Sequence, residues 1–147
     1  MGPRNRGTLP SERDPSTSQR LMGVTYDAGA LIAAERSERR MWARHRALLA
    51  SRLVPTVPAA VIAQTWRGGG RQAMLSRLVV GCAVEALDHD QARKVGSLAA
   101  KAANTDIVDA SVVEGALRRG DLVISFDHDD LQAIATAAGQ ALDVEEP

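Results

Sequence analysis

The chain has 147 residues, 45% hydrophobic and 24% charged, which suits one soluble domain with a core of its own. Its formal net charge is zero, so no global basic field draws it to nucleic acid, and such a partner has to be met by a local patch. Cys82 is the single cysteine, which excludes an internal disulfide and a cysteine-based zinc site and suits a reducing cytoplasm. No apolar run approaches the ~20 residues of a membrane-spanning helix, and the first residues lack the apolar stretch of a signal peptide. Aromatic residues are only 3%, so the core has to rest on Ala, Val, Leu and Ile.

Residues 1–21 carry Pro3, Pro10, Pro15, Gly2, Gly7 and four Arg with almost no apolar periodicity, which reads as a disordered extension. Met22 stands directly before the first strand candidate and reads as the natural start of a domain over 22–147. Gly23 to Tyr26 is a short strand ending in Asp27, and the Ala-rich stretch Ala28 to Glu35 is a helix. Arg39 to Ser51 continues helical, with Trp42, His45, Leu48 and Leu49 at helical spacing. Leu53 to Val57 is a strand candidate, and Pro58 suits the first turn of a helix over Ala59 to Trp66. Gly68, Gly69 and Gly70 make a break. Gln72 to Val80 is predicted helical, Ala83 to Ala86 a strand, and Asp88 to Ala103 and Asp106 to Arg118 two further helices. Gly120 stops the second of these, Asp121 to Ser125 is a strand, Asp130 to Ala138 a helix, and Ala141 to Val144 a last strand. There is no internal repeat.

Strands alternating with helices predict an α/β fold: a central, mainly parallel sheet of about five strands between two helical layers. Ligands of such folds bind beyond the carboxyl ends of the strands. Acidic residues stand there in this sequence: Asp27 after the first strand, Glu35 one helix on, Asp106 and Asp109 at the opening of a helix, and Asp127, Asp129 and Asp130 past the fourth strand. Carboxylates gathered from distant parts of a chain repel one another unless a hard cation such as Mg²⁺ or Mn²⁺ neutralises them. The same residues have plainer readings. A helix N-terminus welcomes negative charge, so capping alone accounts for Asp106, Asp109 or Asp127 taken singly. Asp129 suits a solvated or capping role, and Glu35 can pair with Arg39 at i,i+4.

The segments Tyr26-Asp27-Ala28-Gly29-Ala30-Leu31-Ile32-Ala33-Ala34, Val108-Asp109-Ala110-Ser111-Val112-Val113 and Val123-Ile124-Ser125-Phe126-Asp127-His128-Asp129-Asp130-Leu131, in this order and spacing, resemble the PIN-domain family. The likeness is closest to its VapC-type toxin ribonucleases and spans residues 22 to 147. It implies a PIN-like three-layer α/β/α sandwich and a Mg²⁺- or Mn²⁺-dependent endoribonuclease. Such an enzyme hydrolyses RNA to 5′-phosphate and 3′-hydroxyl ends, is held by a VapB-like antitoxin protein, and forms a homodimer. Carried over by position, Asp27, Asp109 and Asp127 are its catalytic, metal-holding acids, with Asp130 an outer contact and Ser125 the small polar residue before the last acid. The chain departs from the family at the second acid, where Gln64 stands in place of Glu; Glu35 and Asp106 are the acids that can supply the missing charge.

Cations for RNA are present on the first helical hairpin, at Arg36, Arg39, Arg40, Arg44, His45, Arg46 and Arg52, and beside the triple glycine at Arg67 and Arg71. Trp42 and Trp66 are candidates for stacking on a base. An antitoxin segment competes for the same helices, and a solvated or core role is the plainer reading of each. Other enzymes on doubly wound sheets fit less well. A haloacid-dehalogenase-like phosphatase wants an acid two residues past the first, where Gly29 stands. A receiver-like domain wants a late lysine, and Lys94 and Lys101 fall too early. The triple glycine lacks the Lys-Ser/Thr of a phosphate loop. A binding module on the same fold, with its acids no longer catalytic, is the remaining alternative, and Gln64 is the residue that favours it.

Overall fold

A computed structural model of the protein describes residues 23–147. The extension expected over 1–21 and the start expected at Met22 lie outside the described residues. In chain order the elements are β1 (Val24–Tyr26), α1 (Ala28–Glu35), α2 (Arg39–Ala50), β2 (Thr56–Pro58), α3 (Ala59–Thr65), a 3₁₀ turn (Gly70–Gln72), α4 (Ala73–Val80), β3 (Ala83–Glu85), α5 (His89–Lys101), α6 (Ile107–Arg119), β4 (Leu122–Ile124), α7 (His128–Ala137) and β5 (Val144–Glu145). The five strands pair in the order β3-β2-β1-β4-β5, and every pairing is parallel. Helices flank this sheet in the PIN-like α/β/α sandwich that the sequence predicts.

The strand order reverses at β1. The chain leaves β1 to one side for β2 and β3, then crosses back to lay β4 on the other side of β1. A crevice opens at the carboxyl ends where neighbouring connections diverge in this way. Val24, Thr25 and Tyr26 are buried because β1 lies at the centre of the sheet. Helix α1 buries Ala30, Leu31, Ala33 and Ala34, and these small side chains let it sit close to its neighbours α3 and α4. On the other side, α6 packs between α5 and α7 and buries Ala110, Val112, Val113 and Ala116. Val95 and Ala99 of α5 meet Ala110 in a second small cluster.

Two of the predicted strands shift. The second begins at Thr56 rather than Leu53, because the Leu53 amide is spent on Leu48 O at 2.9 Å, closing α2. The last runs over Val144–Glu145 rather than from Ala141, because the Leu142 amide turns instead to the Gln132 side chain.

Buried polar groups are tied down. Tyr26 and His45 share a 2.8 Å hydrogen bond between the phenol oxygen and Nδ1, and Trp42 donates to Ala34 O at 3.0 Å. Both ring systems therefore serve the docking of α2 against β1 and α1. The Arg119 guanidinium at the end of α6 reaches Asp121, Thr25 and Glu85 at 2.8–2.9 Å, locking α6 to β1, to β3 and to the residue that leads into β4.

Candidate metal centre

Three of the predicted acids converge. Asp27, Asp109 and Asp127 each offer a carboxylate oxygen, and these atoms all lie within 4.8 Å of one another. The fold produces this convergence directly. Asp27 follows β1, Asp127 follows β4, and β1 and β4 are adjacent strands running the same way. Asp109 comes from the first turn of α6, whose N-terminus is brought to the same sheet edge. Three helix N-termini thus face one small volume, and their dipoles offset part of the negative charge there.

The hydrogen bonds separate capping acids from free ones. Asp106 is a cap: its Oδ1 accepts from the Asp109 amide at 3.0 Å. Asp27 and Asp127 also occupy N-cap positions, of α1 and α7, yet neither side chain makes a capping hydrogen bond. Capping therefore does not explain them. Asp27 is buried, with its Oδ2 held by the Ser125 hydroxyl at 2.7 Å and its Oδ1 without a hydrogen-bond partner among the described residues. A buried carboxylate oxygen without a partner is costly unless something positive meets it. Among the described residues no Arg, Lys or His pairs with any of the three acids. An all-oxygen donor set, one orphaned buried oxygen and no internal counter-charge fit a divalent cation of the hard class.

The electrostatics follow from crowding. Burial pushes the Asp27 carboxyl up from its ordinary value; the Ser125 hydroxyl and the nearby Ala28 amide oppose this, and the charges of Asp127 and Asp106 add to it. Asp109 is pushed up to about 7, first by burial and then by Asp106, Asp27, Asp127 and Asp130. A cation held in the cluster would oppose both effects.

Ser125 connects the two strand-end acids. Its hydroxyl donates to Asp27 and accepts the Asp127 amide at 2.9 Å. Ser125→Ala is expected to keep the fold and to weaken Mn²⁺ binding by about 10–100-fold, the usual effect of losing an orienting group behind a metal ligand. Isothermal titration of the variant against wild type measures it. Gly29 sets the approach of α1 to the Asp127 turn. A Cβ there would lie 2.7 Å from the Phe126 ring and 3.2 Å from the Phe126 amide nitrogen. Gly29→Ala is expected to cost about 1 kcal/mol of stability and to displace this turn; denaturant unfolding and the same titration read both effects.

The other predicted residues stand outside the three-acid cluster. Glu35 is half-buried at the end of α1, and its Oε1 accepts from Gln72 at 2.9 Å. Asp130 is exposed in the first turn of α7, and its contribution to the cluster is its charge. Exposed Asp129 pairs with His128. Gln64 is exposed and lines a trough beside α1 that Glu35 also lines. Arg44 is engaged with Glu145 at 2.9 Å and with Glu146 O, and His45 is buried against Tyr26. Arg36, Arg39, Arg40, Arg46, Arg52, Arg67 and Arg71 are exposed. Sequence reasoning missed Gln72, which is buried and fully hydrogen-bonded at the mouth of the trough. Its position after three glycines was the one available signal.

No protein-family model matches the chain, and no curated protein matches it. Among solved structures the fold is similar to the crystal structure of PAE2754 from Pyrobaculum aerophilum, with a TM-score of 0.55 and 16% identity over 83% of each chain. At that identity the likeness establishes the α/β/α fold and nothing further. None of the helices among the described residues is long and apolar enough to cross a membrane.

Proposed function

We propose that this protein is a Mg²⁺- or Mn²⁺-dependent endoribonuclease, the toxin half of a toxin–antitoxin pair. The observation that carries the reading is the convergence of Asp27, Asp109 and Asp127 at the sheet's switch point, with Asp27 Oδ1 buried and unpartnered. The order of the three acid-bearing segments, which resembles that of VapC-type enzymes, supports the ribonuclease chemistry.

The carboxylates of Asp27, Asp109 and Asp127 would hold the cation. Bound there, it supplies neutralisation of the phosphodiester oxygens and acidification of a water. Asp27 is the fixed member, its orientation set by Ser125. One of the carboxylates of the cluster accepts the proton of the attacking water. In-line hydrolysis then leaves a 5′-phosphate and a 3′-hydroxyl. The exposed arginines at the end of α1 (Arg36), on α2 and on the glycine loop supply cations for the RNA backbone or for a VapB-like antitoxin, and the protein acts as a homodimer in the cytoplasm.

A second reading has one observation in its favour. Gln64 brings no charge, so the site is one carboxylate short of the family pattern, and a binding module acting through antitoxin or dimer contacts would tolerate that. Incubating the folded, antitoxin-free protein with total cellular RNA separates the two. Discrete Mn²⁺-dependent cleavage abolished by EDTA supports the enzyme. Intact RNA over a broad pool would sink it and leave the binding module.

A further inference from the structure

A trough of about 390 Å³ starts beside the acid cluster, at Ala28, and runs along the outer face of α1 past Ile32 to Glu35 and Arg36, with Gln64 and Arg67 forming the opposite wall. Ala28, Ile32, Glu35 and Arg36 recur at the spacing of one helical face, so the trough leads straight away from Asp27. Its chemistry is mixed. Arg36 and Arg67 are exposed and form no ion pair among the described residues. Ile32 is 38% exposed. Glu35 has one oxygen bound by Gln72, and no hydrogen bond to its other oxygen is seen among the described residues.

The wall carrying Arg67 is a loop that would not hold its shape unaided. Gly68 and Gly69 have φ of +83° and +92°, and a Cβ on either would meet nothing within 4 Å, so no packing fixes them. Gln72 fixes them instead. It is 4% exposed, and its Oε1 accepts the amides of Arg67 at 2.6 Å and Gly68 at 2.7 Å. Its Nε2 donates to Thr65 O at 2.8 Å and to Glu35 at 2.9 Å. Both lone pairs and both N–H groups of the amide are used, which no other side chain of that size can do. One residue therefore ties the loop, α1 and the end of α3 together, and sets Arg67 opposite Arg36.

We propose that this trough seats the nucleotide next to the scissile phosphate of single-stranded RNA, and that Gln72 is the positioning residue that holds its far wall. The proposal rests on the ribonuclease reading for the word scissile, and on the trough alone for the binding of RNA. Arg36 and Arg67 take the phosphate that follows the cut, Ile32 offers apolar surface to the base, and the second Glu35 oxygen accepts from a 2′-hydroxyl or an exocyclic amine.

The test uses the full chain and its Gln72→Leu, Arg36→Ala and Arg67→Ala variants. Amide hydrogen exchange at Arg67 and Gly68 is expected to accelerate in Gln72→Leu with the core amides of β1 and β4 unchanged; unchanged loop exchange would overturn the latch. In cleavage assays each variant is expected to raise KM about tenfold with kcat nearly preserved, and to redistribute the mapped 5′ ends of the products. Wild-type KM and wild-type cut sites in all three variants would overturn the trough. If the wild type cleaves nothing, the ribonuclease reading fails by itself. Fluorescence anisotropy of a short labelled single-stranded RNA in Ca²⁺ then decides: binding weakened about tenfold by the same variants upholds the trough, and absent or unaltered binding overturns it.

Discussion

Asp27→Asn is expected to lower Mn²⁺-dependent RNA cleavage by about 10²–10³-fold while leaving the fold intact, the scale of removing one electrostatic group from a catalytic centre. The substitution keeps the size of the side chain and an oxygen for the Ser125 hydroxyl, which now lies 2.7 Å from Asp27 Oδ2. What it removes is the negative charge at the buried oxygen that nothing among the described residues neutralises. The metal-free variant should for that reason be at least as stable as wild type, because a desolvated, unpaired carboxylate opposes folding. Loss of cleavage together with loss of stability would point instead to a structural role. Cleavage retained within a few fold would move the chemistry to another part of the molecule. Initial rates and denaturant unfolding in EDTA, on the same preparations, give both readings.

The second expected result concerns pH. Asp109 has its proton affinity raised in the folded state from 3.8 to about 7. Its folded form binds the proton more tightly than its unfolded form, so the associated stability is fully present below about pH 4 and is lost as pH rises toward 7. For this half-buried, partly screened group the loss is about 2 kcal/mol, roughly half of what a fully buried group with that shift would give. Metal-free protein should thus be less stable at pH 8 than at pH 5, and Asp109→Asn should flatten the profile. Mn²⁺ at a hundred times its dissociation constant should restore about 2.7 kcal/mol at pH 8. At pH 5 it should restore far less, because the ligand must first lose its proton. Urea unfolding at the two pH values, with EDTA and with Mn²⁺, measures all of this. A wild-type profile unaffected by Asp109→Asn would show that folding does not raise the proton affinity of Asp109.

The convergence of the acids was legible in the sequence for a physical reason. A buried central strand such as Val24–Tyr26 reads as an apolar β-rich run, and a charged residue directly after it marks the sheet edge. Asp27 stands in that relation to β1, and Asp127 follows the adjacent parallel strand β4 after Ser125 and Phe126. What spacing cannot supply is which oxygen is already used. Asp106 and Asp109 look alike at the head of α6, and only the hydrogen bond from the Asp109 amide shows that Asp106 is a cap. Glu35 read as a spare acid because its partner, Gln72, lies 37 positions away. The triple glycine read as a bare turn because its conformation is dictated by that same glutamine and not by its own residues. Trp42 and His45 sat among arginines in sequence, yet their ring polar atoms face Ala34 and Tyr26, so they belong to the packing of α2. Strand limits shifted where a neighbouring amide had another use, as Leu53 did in closing α2.

The central claim is that Asp27, Asp109 and Asp127 act as one cation site. Electron paramagnetic resonance titration of Mn²⁺ into wild type, Asp27→Asn and Asp109→Asn tests it most directly, since free and bound Mn²⁺ give different signals whether or not any RNA is cut. The account predicts saturable binding by wild type that each single substitution abolishes or weakens by at least about tenfold. Absent binding by wild type at pH 8, or binding that survives both substitutions unchanged, would contradict it.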